Sequence, residues 1–222
     1  MIKIVNEDCY KHLKTLHNNY FDIVITSPPY NFGGRRKINT KAKSKYEHFT
    51  DNRSDYADWS IAIIEELLRV TKKHIFWNVQ ALSKNKQDIF KIMGHFADHI
   101  IQNFIWYKPN SSPSSRPYYV SNYVEYVLCI SNEKYLKSNL AFNKNFFEIT
   151  NKPTKYPEHN AVMSQELADE LVERYTDEND LILDPFCGVG TTGISAKKFN
   201  RHFYGIDIVK RYCEISEQNL LN

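Results

Sequence analysis

The chain has 222 residues, of which 42% are hydrophobic and 25% charged, enough for a folded core in one compact domain and too apolar for a disordered chain. The formal net charge of +3 does not by itself mark a polyanion partner. No apolar run reaches the roughly 18 residues of a membrane helix, and Cys9, Cys129, Cys187 and Cys213 are too scattered for a zinc site or a disulfide framework.

Met1 leads directly into Ile2, Lys3, Ile4 and Val5, which read as a strand over 2–5 rather than a secretion signal. With reduced thiols, the expected compartment is the cytoplasm. Apolar and β-branched content predicts further strands over 21–26, 74–79, 102–107, 123–130, 181–184 and 202–207. A helix over 56–70 places Trp59, Ile63, Leu67 and Val70 at helical spacing. A helix over 164–175 starts on Ser164 as a cap and carries Leu167, Leu171 and Val172. Residues 191–199 and 210–220 also read as helices. This alternation predicts an α/β fold: a mostly parallel sheet of about seven strands, with helices on both faces.

Three stretches break the rhythm. Residues 33–46 carry Arg35, Arg36, Lys37, Lys41, Lys43 and Lys45 with no acid before Glu47. Residues 110–119 have the Ser, Pro and Asn content of a loop. Residues 131–157 are rich in Asn, Lys and Phe, with weak periodicity.

Two strand ends carry chemistry. Ser27, Pro28, Pro29, Tyr30 and Asn31 follow the apolar strand over 21–26. Proline cannot continue a ladder, so the pair ends the strand in a stiff turn at the carboxyl edge, where such sheets place ligands. Pro-Pro alone is read as a strand-terminating turn; flanked by Ser27 and Tyr30-Asn31, it is read as a site that orients a flat substrate. The second is Asp184-Pro185-Phe186-Cys187-Gly188-Val189-Gly190-Thr191, between a strand and a helix. Its glycines permit a tight turn and close approach to a ligand. Asp207 ends the next strand, where a carboxylate can accept hydrogen bonds from ribose hydroxyls. Ile194 and Ser195 occupy the place of the third glycine of a dinucleotide fingerprint, which argues against NAD.

These residues resemble a family. Ser27-Pro28-Pro29-Tyr30 looks like the catalytic motif (S/N/D)-P-P-(Y/F/W) of DNA amino-methyltransferases, and Asp184 to Gly190 looks like their cofactor loop with its Phe-x-Gly-x-Gly core. The catalytic motif comes first, an order that resembles the permuted β group. Asn6-Glu7-Asp8-Cys9, Leu67-Leu68-Arg69-Val70, Trp106-Tyr107-Lys108, Val124-Glu125-Tyr126 and the segment with His159, Ala161 and Glu166-Leu167 resemble further family motifs in the family's order.

The resemblance implies a Rossmann-like methyltransferase fold, with S-adenosylmethionine as cofactor and DNA as partner. It implies a flipped base stacked on Tyr30, its amino group bonded to Ser27 and the Pro28 carbonyl within the turn that Pro29 completes. It implies Asp8 on the cofactor's adenine and Asp207 on its ribose. Asp184, Phe186, Gly188 and Gly190 would form the cofactor loop, with Thr191 toward the carboxylate. Asn31, Arg35, Arg36 and Lys37 are the candidate DNA contacts, although such a basic run also reads as a solvated loop.

Ser27 favours cytosine N4 over adenine N6 as the target. The domain reading is a single methyltransferase domain over 1–222, with a short target-recognition insertion at 131–157 and a basic loop at 33–50. A cognate restriction nuclease, and a monomer or homodimer, complete the expectation. An RNA methyltransferase and an inactive nucleic-acid-binding module are the competing readings. Cys187 is read as a small buried filler, and His159 as structural rather than a base.

Overall fold

Two strand segments are buried at every position, Ile23–Thr26 and His74–Val79. A strand covered on both faces reads as a near-continuous apolar run, so these two belong at the centre of a sheet. The computed structural model, which describes residues 1–31, 52–111, 118, 120–141, 143–150 and 162–221, places them side by side there.

The strands are β1 (Ile2–Asn6), β2 (Ile23–Thr26), β3 (His74–Val79), β4 (Ile100–Tyr107), β5 (Val124–Ser131), β6 (Phe146–Glu148), β7 (Leu181–Asp184) and β8 (His202–Asp207). The helices are α1 (Cys9–Leu13), α2 (Tyr56–Val70), α3 (Lys86–His95), α4 (Gln165–Tyr175), α5 (Thr191–Lys198) and α6 (Lys210–Leu221). The sheet order is β1-β8-β7-β2-β3-β5-β4-β6. Only β5 opposes its neighbours; the other pairings are parallel.

Helices cover both faces. Leu13 of α1, Tyr56, Ile63, Leu67 and Val70 of α2, and Ile89 and Ile92 of α3 pack on one face with Ile75 and Trp77. Leu167, Leu171 and Val172 of α4, Ala196 of α5 and Leu220 of α6 pack on the other with Ile25, Phe76 and Phe203. From β2 the chain passes to β3, and from β7 to β8, on opposite sides of the β2–β7 pair. A crevice at such a reversal is where open α/β sheets bind ligands.

The expected elements are present with shifted ends. Phe21 makes only a single bridge to Thr71 before β2 begins at Ile23. Ser164 stands at the α4 N-cap position without a side-chain cap bond. The sheet has eight strands rather than seven: β6 pairs with β4 and comes from the 131–157 stretch expected as an insertion. Three residues give too short a run to show a period of two. Helix α3 also went unread, because only Ile89 and Ile92 are buried on it while Phe90 is exposed. No helix among the described residues is long and apolar enough to cross a membrane.

Candidate active site

Strand β2 delivers Thr26 to the carboxyl edge, and the double proline then forces the chain out of the sheet. The turn is held at several points. Tyr56 Oη donates to the Pro29 carbonyl at 2.7 Å, and Asn85 Nδ2 donates to the Tyr30 carbonyl at 2.5 Å. Asn31 has a φ of 56° and is buried; its Oδ1 accepts from the Arg53 amide at 2.6 Å, and its Nδ2 donates to the Arg53 carbonyl at 2.9 Å. This amide clamp ties Asn31 to Arg53. Arg35, Arg36 and Lys37, the other expected DNA contacts, lie outside the described residues, as does His159.

Tyr30 is 7% exposed. Its hydroxyl lies 2.7 Å from Glu125 Oε2, 3.0 Å from Asn78 Oδ1 and 3.0 Å from Ser27 Oγ. Glu125 Oε1 accepts from Lys108 Nζ at 2.5 Å, and Asn78 Nδ2 donates to Glu125 Oε2 at 3.0 Å. Asn78, Lys108 and Glu125 are all buried. Burial, then the Glu125 charge, holds the Tyr30 phenol well above its usual range, so it stays protonated.

The second loop begins at β7. Asp184 is buried and faces inward: Oδ1 accepts from Thr26 Oγ1 at 2.7 Å and from the Phe186 amide at 3.1 Å, and Oδ2 accepts from Thr192 Oγ1 at 2.8 Å. The carboxylate therefore ties the ends of β2 and β7 to the start of α5. Phe186 lies between Trp59 and Trp77, with ring centroids 5.6 and 6.1 Å away. Gly188 and Gly190 have φ of 48° and 89°. Thr191 opens α5 and is buried.

Asp207 ends β8 only partly covered. Its Oδ2 accepts from the Gly188 amide at 2.9 Å and its Oδ1 from the Val209 amide at 2.8 Å. Burial raises its pKa, and these two amides pull it back. Asp8 follows the adjacent strand end, partly covered, and caps α1 by accepting from the Lys11 amide at 3.0 Å. The structure thus brings the Ser27–Tyr30 turn, the Phe186–Gly190 loop, Asp207 and Asp8 to one sheet edge.

A family model for DNA methylases that modify N6 or N4 positions matches residues 21–218. The chain belongs to this DNA methylase family. Type II methyltransferase M.BglII of Bacillus subtilis is 28% identical over 98% of this chain and 68% of its own length. The structure of PvuII DNA methyltransferase, cytosine-N4-specific, superposes with a TM-score of 0.81 at 20% identity, covering 100% of this chain and 86% of that one. The M1.HpyAVI–SAM complex gives a TM-score of 0.71 at 20% identity, covering 99% of each chain. At these identities the two structures establish a shared fold.

Within this methylase, sequence reasoning missed the assembly that anchors Tyr30. The available signal was a lysine and a glutamate, Lys108 and Glu125, beside apolar strand residues; charges in such places are buried only when paired. Asp184 shows the opposite lesson. It belongs to the expected cofactor loop, and its carboxylate is turned to Thr26, Thr192 and the Phe186 amide, where it braces that loop. Cys187 fits the filler reading: it is buried, and burial drives its thiol well above the usual range.

Asp184 also makes a stability prediction. Burial raises its carboxyl from the usual 3.8 to about 6, despite the lowering effect of its three donors. Between these values the folded protein holds a proton that the unfolded chain has lost, so stability falls as pH rises through that window. Asp184→Asn keeps an acceptor for Thr26 and removes this titration. Its stability relative to wild type should therefore improve from pH 4 to pH 6.5 by up to about 3 kcal/mol. Denaturant unfolding of both proteins across that range checks this; a pH-independent difference would contradict it.

Proposed function

We propose that this methylase transfers a methyl group to the exocyclic amino group of a DNA base turned out of the helix, with cytosine N4 the favoured target. The observation that carries the reading is the set of acceptors at the end of β2. The Pro29 and Tyr30 carbonyls are bound by Tyr56 and Asn85. The Ser27 hydroxyl and the Pro28 carbonyl are then the acceptors the turn offers to a substrate N–H. Ser27 at the first position of the turn supports cytosine, as does the shared fold with an enzyme described as cytosine-N4-specific.

The residues fit S-adenosylmethionine. Two partly covered carboxylates, Asp8 and Asp207, stand at neighbouring strand ends, suited to the adenine amino group and the ribose hydroxyls. Gly188 and Gly190 leave the loop backbone open to close approach, Phe186 lines it, and Thr191 begins a helix whose N-terminus suits a carboxylate. When bound, the cofactor supplies an activated methyl on a sulfonium.

The chain's own residues do the rest. An aromatic amino nitrogen is a poor nucleophile because its lone pair is delocalised into the ring. Hydrogen bonds from that amino group to Ser27 Oγ and the Pro28 carbonyl draw the nitrogen toward a tetrahedral arrangement and localise the pair. Tyr30 fixes the plane of the base by stacking, worth roughly 1–3 kcal/mol, which offsets part of the cost of flipping. Catalysis is mainly orientation and electrostatics. Asn31, expected as a DNA contact, is buried with both amide atoms bonded to the Arg53 backbone and holds the turn instead. Arg35, Arg36 and Lys37 are proposed to serve the DNA side, the basic loop 33–50 tracking phosphates and the short insertion 131–157 contributing to recognition.

Transfer of labelled methyl from the cofactor to duplex DNA, with RNA of matching sequence in parallel, tests the proposal. Label in DNA alone is expected. Label in RNA alone, or cofactor binding without transfer to either, would overturn it.

A further inference from the structure

We infer that the buried Lys108–Glu125 pair sets the direction of a hydrogen-bond chain through Tyr30 to Ser27, so that the Ser27 hydroxyl meets the substrate as an acceptor. This rests on the function proposed above and concerns how the same site distinguishes an amino group from an oxo group.

The direction follows from proton counting. Lys108 Nζ donates to Glu125 Oε1 at 2.5 Å, and in this ion pair the carboxylate offers only lone pairs. A phenol has one proton to give. Glu125 Oε2 at 2.7 Å competes for it with Asn78 Oδ1 at 3.0 Å. The shorter contact to a charged acceptor wins. Asn78 is itself oriented, because its Nδ2 faces two acceptors, Glu125 Oε2 at 3.0 Å and the Tyr126 carbonyl at 3.2 Å. With its proton committed to Glu125, the Tyr30 oxygen presents lone pairs to Ser27 Oγ at 3.0 Å. Ser27 therefore donates to Tyr30, and the remaining lone pairs of its oxygen face outward.

A hydroxyl free to rotate would accept from an amino group or donate to a carbonyl with equal ease. A hydroxyl whose proton is held inward accepts only. The site then welcomes the N–H of cytosine or adenine and repels the oxygen of uracil or hypoxanthine at the same position. Burial strengthens the bias: Tyr30, Asn78, Lys108 and Glu125 are between 1% and 7% exposed, and hydrogen bonds in such surroundings polarise one another. Glu125 and Lys108 are positioning residues here, acting on substrate through Tyr30 and Ser27. A buried ion pair is weak evidence for stability, but it does fix a direction.

The test compares binding of two duplexes: one bearing the base that the protein methylates, the other bearing its oxo counterpart at that position. The preference ratio is measured for wild type and for Tyr30→Phe, which deletes one oxygen and keeps the ring. The cost within the DNA of the altered base is common to both proteins and cancels. Tyr30→Phe releases the Ser27 hydroxyl, so the preference for the amino base should fall by about tenfold, with kcat lowered and cofactor affinity unchanged. Glu125→Gln strands a buried lysine, can unfold the protein and keeps an acceptor, so the paired replacement Glu125→Leu/Lys108→Met is the second variant. It leaves the Tyr30 proton only the weaker, neutral Asn78 Oδ1 at 3.0 Å, and a smaller loss of preference in the same direction is expected. In a Ser27→Ala background neither change should lower kcat further, because the chain then ends nowhere. An unchanged preference ratio in folded Tyr30→Phe, or additive losses in the Ser27→Ala background, would overturn the inference while leaving the methyltransferase reading intact. No methylation of DNA by wild type would overturn both.

Discussion

Ser27→Ala is expected to lower methyl transfer by about 10²–10³-fold while cofactor affinity stays at the wild-type value. That magnitude is typical for deleting one preorganised hydrogen-bonding group aimed at a reacting centre. Ser27 is half-buried, and its hydroxyl contacts Tyr30 Oη at 3.0 Å. Removing it leaves Tyr30 bonded to Glu125, so the stability loss should be only about 1 kcal/mol. The loss should fall on kcat, since the proposed bonds from the amino group to Ser27 and Pro28 would strengthen as the nitrogen leaves its planar form. Steady-state kinetics with a defined duplex, with calorimetric cofactor binding alongside, check it. Undiminished kcat in the alanine variant would remove Ser27 from the catalytic turn.

Gly190→Ala should have the largest effect on the cofactor loop. Gly190 has a φ of 89°, a conformation that costs an L-residue roughly 1–2 kcal/mol. A methyl group there would lie 2.5 Å from Ser216 Oγ and 3.3 Å from Ser216 Cα on α6. The side-chain oxygen can swing away, but the helix backbone cannot move so cheaply, and overpacking of this kind adds about 1–3 kcal/mol. Together these take about 2–5 kcal/mol from a fold whose whole stability is of order 5–15 kcal/mol. Cofactor binding should be lost in the same step, because the displaced backbone is the loop itself. Gly190→Ala/Ser216→Ala should recover only part of the stability, since it relieves the contact and leaves φ strained. Thermal unfolding and cofactor titration of both variants measure this; wild-type values for Gly190→Ala would show that the loop does not need its glycine.

These two positions were legible in the sequence because punctuation marks them. A double proline after an apolar run and glycines between a strand and a helix announce chain reversals whatever the rest of the fold does. The central strands were legible for a related reason: IVIT and HIFWNV are buried at every position. What sequence could not supply was direction. Asp184 and Asp207 both end strands, yet one carboxylate points into the protein toward Thr26 and Thr192 while the other sits at the edge, held by the Gly188 and Val209 amides. Tyr30 and Glu125 are 95 positions apart and meet only because β3 and β5 pair in one register, Trp77 opposite Leu128 and Asn78 opposite Val127. No local pattern encodes that meeting. Strand β6 was hidden by its brevity and by the Asn- and Lys-rich stretch around it.

The most direct measurement is mass spectrometry of nucleosides from DNA incubated with the protein and S-adenosylmethionine. The Ser27–Tyr30 turn and its tied carbonyls predict a methyl group on an exocyclic nitrogen, with N4-methylcytosine as the product. N6-methyladenine would keep the amino-group chemistry and overturn the choice of base. A methyl group on a ring carbon, or no methylated base at all, would contradict the account at its centre.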